Sequence, residues 1–209
     1  VYKRQVPARV ELEENGVTFL ADVLQGQKTG WFYDQRFNRD AVAALARGGR
    51  VLDLYCHTGA FGLRCAAEGA ARVTLADRSE PALALAAETA RANGLADRVS
   101  IERAEAFGLL ERLAGEGTRF DLVVCDPPAF AKSRKDHGPA LKGYEKLARL
   151  AGSVVAPGGF LFLASCSHHV AAEEFATSVA RGLARAGREG RVLRSAGAGP
   201  DHPVHPHLP

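Results

Sequence analysis

The residues best able to do chemistry sit where apolar runs of the chain end. Asp53 lies in the first, Val51-Leu-Asp-Leu-Tyr-Cys-His-Thr-Gly-Ala-Phe-Gly62, which reads as strand, glycine-containing turn and helix start. Gly59 lets the turn pass close to a ligand, and the amino end of the helix favours polar or anionic groups. Asp77 closes the next run, Arg72-Val-Thr-Leu-Ala76, where a carboxylate can accept hydrogen bonds from both hydroxyls of a ribose. Asp126-Pro127-Pro128 follows Phe120-Asp-Leu-Val-Val-Cys125, and Ser165-Cys166-Ser167 follows Phe160-Leu-Phe-Leu-Ala164. Each has a plain alternative, because any strand-to-helix turn uses glycine and any strand end can carry aspartate. A dinucleotide cradle wants G-x-G-x-x-G. His57 replaces its first glycine, so NAD binding by an oxidoreductase is the weaker reading.

The elements that must position these residues follow from pattern. Val10 to Val23 reads as two short strands about the turn signal Asn15-Gly16. A glycine-bounded loop, Gly26-Gln-Lys-Thr-Gly30, leads through Trp31, Phe32 and Tyr33 to a helix with Phe37, Ala41, Val42 and Leu45 on one face. Strand and helix then alternate. Strands are expected at 51–52, 72–76, 99–101, 120–125, 160–164 and 191–194, and helices at 59–67, 81–93, 105–113, 141–155 and 173–186. The helix from Leu141 is expected to stop at Pro157-Gly158-Gly159. This order predicts an α/β fold, a doubly wound and mostly parallel sheet with an amino-terminal β-hairpin. Right-handed crossovers place the functional loops at the carboxyl ends of the strands.

Composition adds bounds. With 209 residues, 46% hydrophobic and 24% charged, the chain is long enough for one well-packed domain. A net charge of +3 tolerates a polyanionic partner without demonstrating one. No apolar run approaches bilayer length, and the cytoplasm is the default expectation. The cysteines Cys56, Cys65, Cys125 and Cys166 form no C-x-x-C pair, which fits free thiols better than disulfides or zinc. A zinc site from His202, His205 and His207 lacks a fourth ligand, so no metal is expected. The start at Val1 without any methionine reads as a fragment or processed chain.

Taken together, the segments resemble class I S-adenosylmethionine-dependent methyltransferases. Asp53 with Gly59 resembles their first motif, Asp77 their ribose-binding acid, and Asn93-Gly94-Leu95 with Ala104-Glu105-Ala106-Phe107 their adenine-binding stretch. Asp126-Pro-Pro-Ala-Phe130 resembles the motif facing the methyl acceptor, and it also resembles methyltransferases of exocyclic amino groups. With Gly26-Gln-Lys-Thr-Gly-Trp-Phe-Tyr-Asp-Gln-Arg36, Ser165-Cys-Ser167 and Asp201-His-Pro-Val204, the chain resembles the RlmI-like ribosomal RNA cytosine-C5 methyltransferases from about residue 26 onward. Tyr55 and His57 depart from the glycines of many methyltransferases, and Glu105 from the usual aspartate. The family's amino-terminal PUA domain and a strand after Asp201-His202-Pro203 are not in this sequence.

The resemblance implies S-adenosyl-L-methionine as cofactor, S-adenosyl-L-homocysteine as product and large-subunit ribosomal RNA as partner. It implies a hairpin and cofactor-proximal loop over residues 1–36 and the methyltransferase domain over 37–209, its last strand truncated. The cofactor residues implied are Lys28, Thr29, Gly30, Asp34, Arg36, Asp53, Tyr55, His57, Thr58, Gly59, Ala60, Phe61, Asp77, Arg78, Ser79, Glu105, Ala106, Asp126 and Pro127. Those implied for substrate are Pro128, Phe130, Lys132 and His202; Phe130 could stack on a base or fill core. Cys166 and Asp126 are implied as catalytic. A thiolate adding to C6 of cytosine makes C5 able to take a methyl group, which divides one hard step into two. Asp126, His168 or a water could then remove the C5 proton. Cys56, Cys65 and Cys125 are assigned to packing. An RNA amino-group methyltransferase with Cys166 as bystander, and an RNA-binding module without catalysis, stand as alternatives.

Overall fold

A computed structural model describes residues 7–24, 30–200 and 202. Strands β1 (Arg9–Glu14) and β2 (Val17–Asp22) pair antiparallel. Asn15 and Gly16 between them both have positive φ, 53° and 76°, as a tight hairpin turn requires. Then come α1 (Arg36–Ala43), β3 (Arg50–Leu54), α2 (Ala60–Ala67), β4 (Arg72–Asp77), α3 (Glu80–Ala92) and β5 (Val99–Arg103). The second half runs α4 (Ala106–Gly115), β6 (Phe120–Cys125), α5 (His137–Val154), β7 (Val155–Leu163) and α6 (Ala172–Arg185).

The later strands form a parallel sheet in the order β5-β4-β3-β6-β7. The chain winds outward from β3 one way and from β6 the other, so the sheet is doubly wound. Its topological switch falls between β3 and β6, where open α/β sheets bind ligands. Successive strand side chains point to opposite faces. Val51, Val73, Leu75, Leu122 and Val124 therefore pack with Ala43, Leu63 and Leu83 of α1, α2 and α3. Leu52, Leu54, Val123 and Cys125 pack with Leu109, Leu110, Leu147 and Leu150 of α4 and α5.

The hairpin joins the first of these cores. Val17 and Phe19 are buried in it, and the Thr18 backbone exchanges hydrogen bonds with the Asn93 side chain at the end of α3. No helix among the described residues is long and apolar enough to cross a membrane.

Three expectations are corrected. Residues 191–194 form no strand: Val192 and Leu193 are 85% and 71% exposed, outside the sheet. The inward face of α1 is Arg39, Val42 and Ala43, while Phe37 and Leu45 are exposed, because an ion pair draws Arg39 inside. Pro157-Gly158-Gly159 does not end a helix. It lies within β7, which starts at Val155 and absorbs the irregular residues in a register shift opposite Phe120 and Leu122. An edge strand tolerates proline in this way, where a central one would not.

Candidate active site

Every second residue of the turn after β3 lies in the left-handed region. Tyr55, His57 and Gly59 have φ of 59°, 50° and 81°. That conformation suits glycine and is uncommon for other residues. Non-local bonds hold it in place. The His57 amide donates to Asp77 Oδ2 at 3.0 Å, and the Cys56 amide to the Ala76 carbonyl at 3.2 Å. Asp77 Oδ1 accepts from the Ser79 amide at 2.8 Å, and Ser79 in turn caps α3. Asp77 thus ends β4 as an acceptor that fixes the neighbouring turn, with lone pairs remaining for further donors.

Asp53 is 1% exposed and accepts the Gly62 amide at 2.8 Å, bracing the first turn of α2 from beneath. With almost no surface of its own, it shapes the turn rather than presenting an open face. Burial pushes its carboxyl up to about 8. Thr58 and Phe61 are also buried, Phe61 against Phe162 at 5.0 Å, while Ala60 is half-buried and Arg78 is exposed.

The aromatic link is folded onto this turn. The Phe32 ring meets the His57 ring edge-on at 5.6 Å, and burial lowers the pKa of that imidazole. What pins Phe32 there has no local sequence signal. Arg39 donates from Nε and Nη2 to the two oxygens of Glu14, both at 2.6 Å, and from Nη1 to the Phe32 carbonyl at 3.0 Å. The Trp31 indole donates to Glu14 at 3.1 Å and lies against Phe19. Gly30 is buried, Asp34 sits half-buried in a 3-10 turn, and Arg36 begins α1 with its guanidinium over Phe37. Lys28 and Thr29 lie outside the described residues.

On the other side of the turn, Glu105 caps α4, accepting the Gly108 amide at 3.0 Å, and Ala106 is buried behind it. The Tyr55 hydroxyl is buried without a hydrogen-bond partner, in a setting where the Glu105 and Arg78 charges act on it. An orphaned buried hydroxyl fits a ligand-binding turn better than a closed core, since an unmade buried hydrogen bond is costly.

The other candidate residues lie one and two strands further along. Asp126 is half-buried after β6, Pro127 is buried and Pro128 is exposed. Cys166, beyond β7, is the exposed one of the four thiols, and its Sγ lies 3.8 Å from the Pro127 carbonyl oxygen. Cys56, Cys65 and Cys125 are buried, and burial pushes their thiols well above the ordinary range, as inert packing residues. Phe130 stacks on Tyr144 at 4.7 Å in the space between α4 and α5. Lys132 and His202 are exposed. His168 and His169 line a cavity of about 470 Å³ with Arg134, His137 and Glu174. Tyr144, wholly buried, is a further residue that the sequence pattern marked only as helix.

Fold and turn together define the class: a doubly wound α/β domain whose ligand-facing loops gather at the carboxyl ends of its strands. The chain belongs to the S-adenosylmethionine-dependent methyltransferase family, whose model matches residues 7–187. It is 40% identical over 203 residues to a ribosomal RNA large subunit methyltransferase of Deinococcus radiodurans, covering 97% of this chain and 50% of that protein. It is 38% identical over 206 residues to ribosomal RNA large subunit methyltransferase I of Aeromonas hydrophila, covering 98% and 52%. The chain spans about half the length of these relatives. A methyltransferase solved with SAH, SMU.776, superposes with a TM-score of 0.87 over 99% of this chain and 54% of that one, at 23% identity; it supports the fold.

Proposed function

We propose that the protein methylates C5 of a cytosine in large-subunit ribosomal RNA through a covalent adduct on Cys166. The observation that carries this is the contrast among the thiols: three are buried, and Cys166 alone is exposed, against the Asp126-Pro127-Pro128 loop. The RNA is suggested by the names of the relatives. Work on ribosomal RNA agrees with the cytoplasmic expectation.

Bound S-adenosylmethionine supplies an electrophilic methyl group on a sulfonium sulfur. Asp77, His57 and the Tyr55 hydroxyl would hold its nucleoside, with Phe32 closing the turn over it. The Cys166 thiol loses its proton to solvent or a base, and Sγ forms a bond to C6 of the pyrimidine. The C5–C6 electron pair moves to C5, which takes the methyl group and leaves S-adenosylhomocysteine. Asp126, carrying a proton, would meet the N3/N4 edge of the base and donate to N3 as negative charge shifts into the ring. A base then removes the C5 proton, the double bond reforms, and the C6–S bond breaks to return the thiolate. A paired target must first leave its stack.

Large-subunit RNA transcribed with 5-fluorocytidine tests this, because fluorine at C5 cannot leave as a proton does. A stable adduct that Cys166→Ala abolishes is expected. Methyl transfer that persists in Cys166→Ala rejects the nucleophile and favours an amino-group acceptor beside Asp126.

A further inference from the structure

We infer that Tyr144 is a positioning residue for Cys166, an inference that rests on the nucleophile reading above. The residues on either side of the thiol are tied to one phenolic oxygen. The Ser165 hydroxyl donates to Tyr144 Oη at 2.8 Å, and the same oxygen lies 2.8 Å from Ser167 Oγ. The Ser167 amide donates to Ser165 Oγ at 3.3 Å, which closes the ring of contacts. Ser167 Oγ also accepts the Ala131 amide at 3.2 Å, joining the cysteine loop to the segment after Asp126-Pro127-Pro128. Cys166 is the one member of Ser165-Cys166-Ser167 whose side chain stays outside this ring, and it is turned to the Pro127 carbonyl.

The phenol oxygen is itself fixed in space. Tyr144 is fully buried in α5, its ring stacked on Phe130 at 4.7 Å and met edge-on by Phe175 at 5.0 Å. Two rings clamp the phenol, the phenol clamps two serines, and the serines present the thiol. Packing alone would be served by phenylalanine, since a buried hydroxyl brings a desolvation cost that only its partners offset. Here the partners are the immediate neighbours of the nucleophile. Attack on C6 requires the sulfur near 3–3.5 Å from carbon, and a misplacement of about 1 Å can cost about 100-fold in rate.

Tyr144→Phe keeps both ring contacts and removes only the oxygen. With saturating S-adenosylmethionine and 5-fluorocytidine-containing large-subunit RNA, its rate of adduct formation is expected to fall about 10- to 100-fold. Affinity for S-adenosylhomocysteine, measured by calorimetry, stays within about twofold, because the turn at Tyr55–Gly59 is untouched; that split separates positioning from a general loss of structure. Ser165→Ala, at an exposed residue, leaves Tyr144 its contact with Ser167 and is expected to slow the adduct while lowering the midpoint of thermal unfolding by no more than a few degrees. The double variant is expected to be no slower than Tyr144→Phe alone, as for groups acting as one unit. Unchanged adduct rates in both single variants overturn the role of Tyr144 and leave Cys166 as nucleophile. Absence of an adduct with the unaltered protein overturns both.

Discussion

The buried pair of Glu14 and Arg39 gives the most quantitative forecast. Their side chains are 6% and 2% exposed and share two hydrogen bonds of 2.6 Å, so neither charge has water as a substitute partner. Glu14→Gln keeps an oxygen for the Trp31 indole but strands the guanidinium. Removing one partner of a buried ion pair costs about 3–5 kcal/mol. With a urea slope of about 2 kcal/mol per molar, the unfolding midpoint is expected to drop by about 1.5–2.5 M. Glu14→Gln with Arg39→Met removes the stranded charge as well. It leaves chiefly the half-buried Phe32 carbonyl short of a donor, and is expected to lose only about 1–2 kcal/mol. Urea titration followed by circular dichroism reads both. A single-variant loss below about 1 kcal/mol, or a double variant as damaged as the sum of its singles, refutes the idea that an uncompensated charge sets the cost.

Gly59→Ala is expected to lose at least about 2 kcal/mol and to weaken S-adenosylhomocysteine binding in calorimetry, because φ of 81° disfavours a side chain and the new Cβ would lie 2.8 Å from Leu75 Cδ1. Asp53, raised to about 8 by burial, stays protonated in the native state between about pH 4 and 8 while the unfolded chain ionises it. Its contribution to stability therefore falls as pH rises through that window, by up to about 1.4 kcal/mol per pH unit, and urea midpoints of Asp53→Asn should lack this slope. Asp77→Ala is expected to weaken S-adenosylhomocysteine binding more than tenfold with little change in single-turnover rate at saturating cofactor, and Asp126→Asn to do the opposite; the reverse pattern would exchange their roles.

Much of this architecture was legible because it is periodic or local. The alternation of β-branched runs with alanine-rich helices specified the parallel sheet, and Asn15-Gly16 specified the hairpin turn. Cys166 could be told from Cys125 by position, since one follows a strand and the other lies inside it. What stayed hidden depended on distant partners. Arg39 looks like a solvated helix residue until Glu14, on the hairpin, meets it. Tyr144 falls on the inward face of α5 with Leu147 and Ala151, yet nothing in the helical period says that its hydroxyl serves two serines beyond β7. Val192-Leu193 has strand-like composition, yet both side chains lie exposed outside the sheet. Glu105 matched the adenine-binding segment, and the structure shows its carboxylate engaged in capping α4.

The parallel order β4-β3-β6-β7 also sets a length scale. Asp77 leaves the first of these strands, and the loop bearing Cys166 leaves the last, at the same end of the sheet. Three inter-strand steps of about 4.8 Å separate them, a baseline of roughly 14 Å ruled by main-chain hydrogen bonds. Side-chain replacement on either face can tilt what stands on that baseline, but only adding or deleting a strand would stretch it. The distance from Asp77 to the loop of Cys166 is thus a property of the backbone ladder, inherited before any individual contact is chosen.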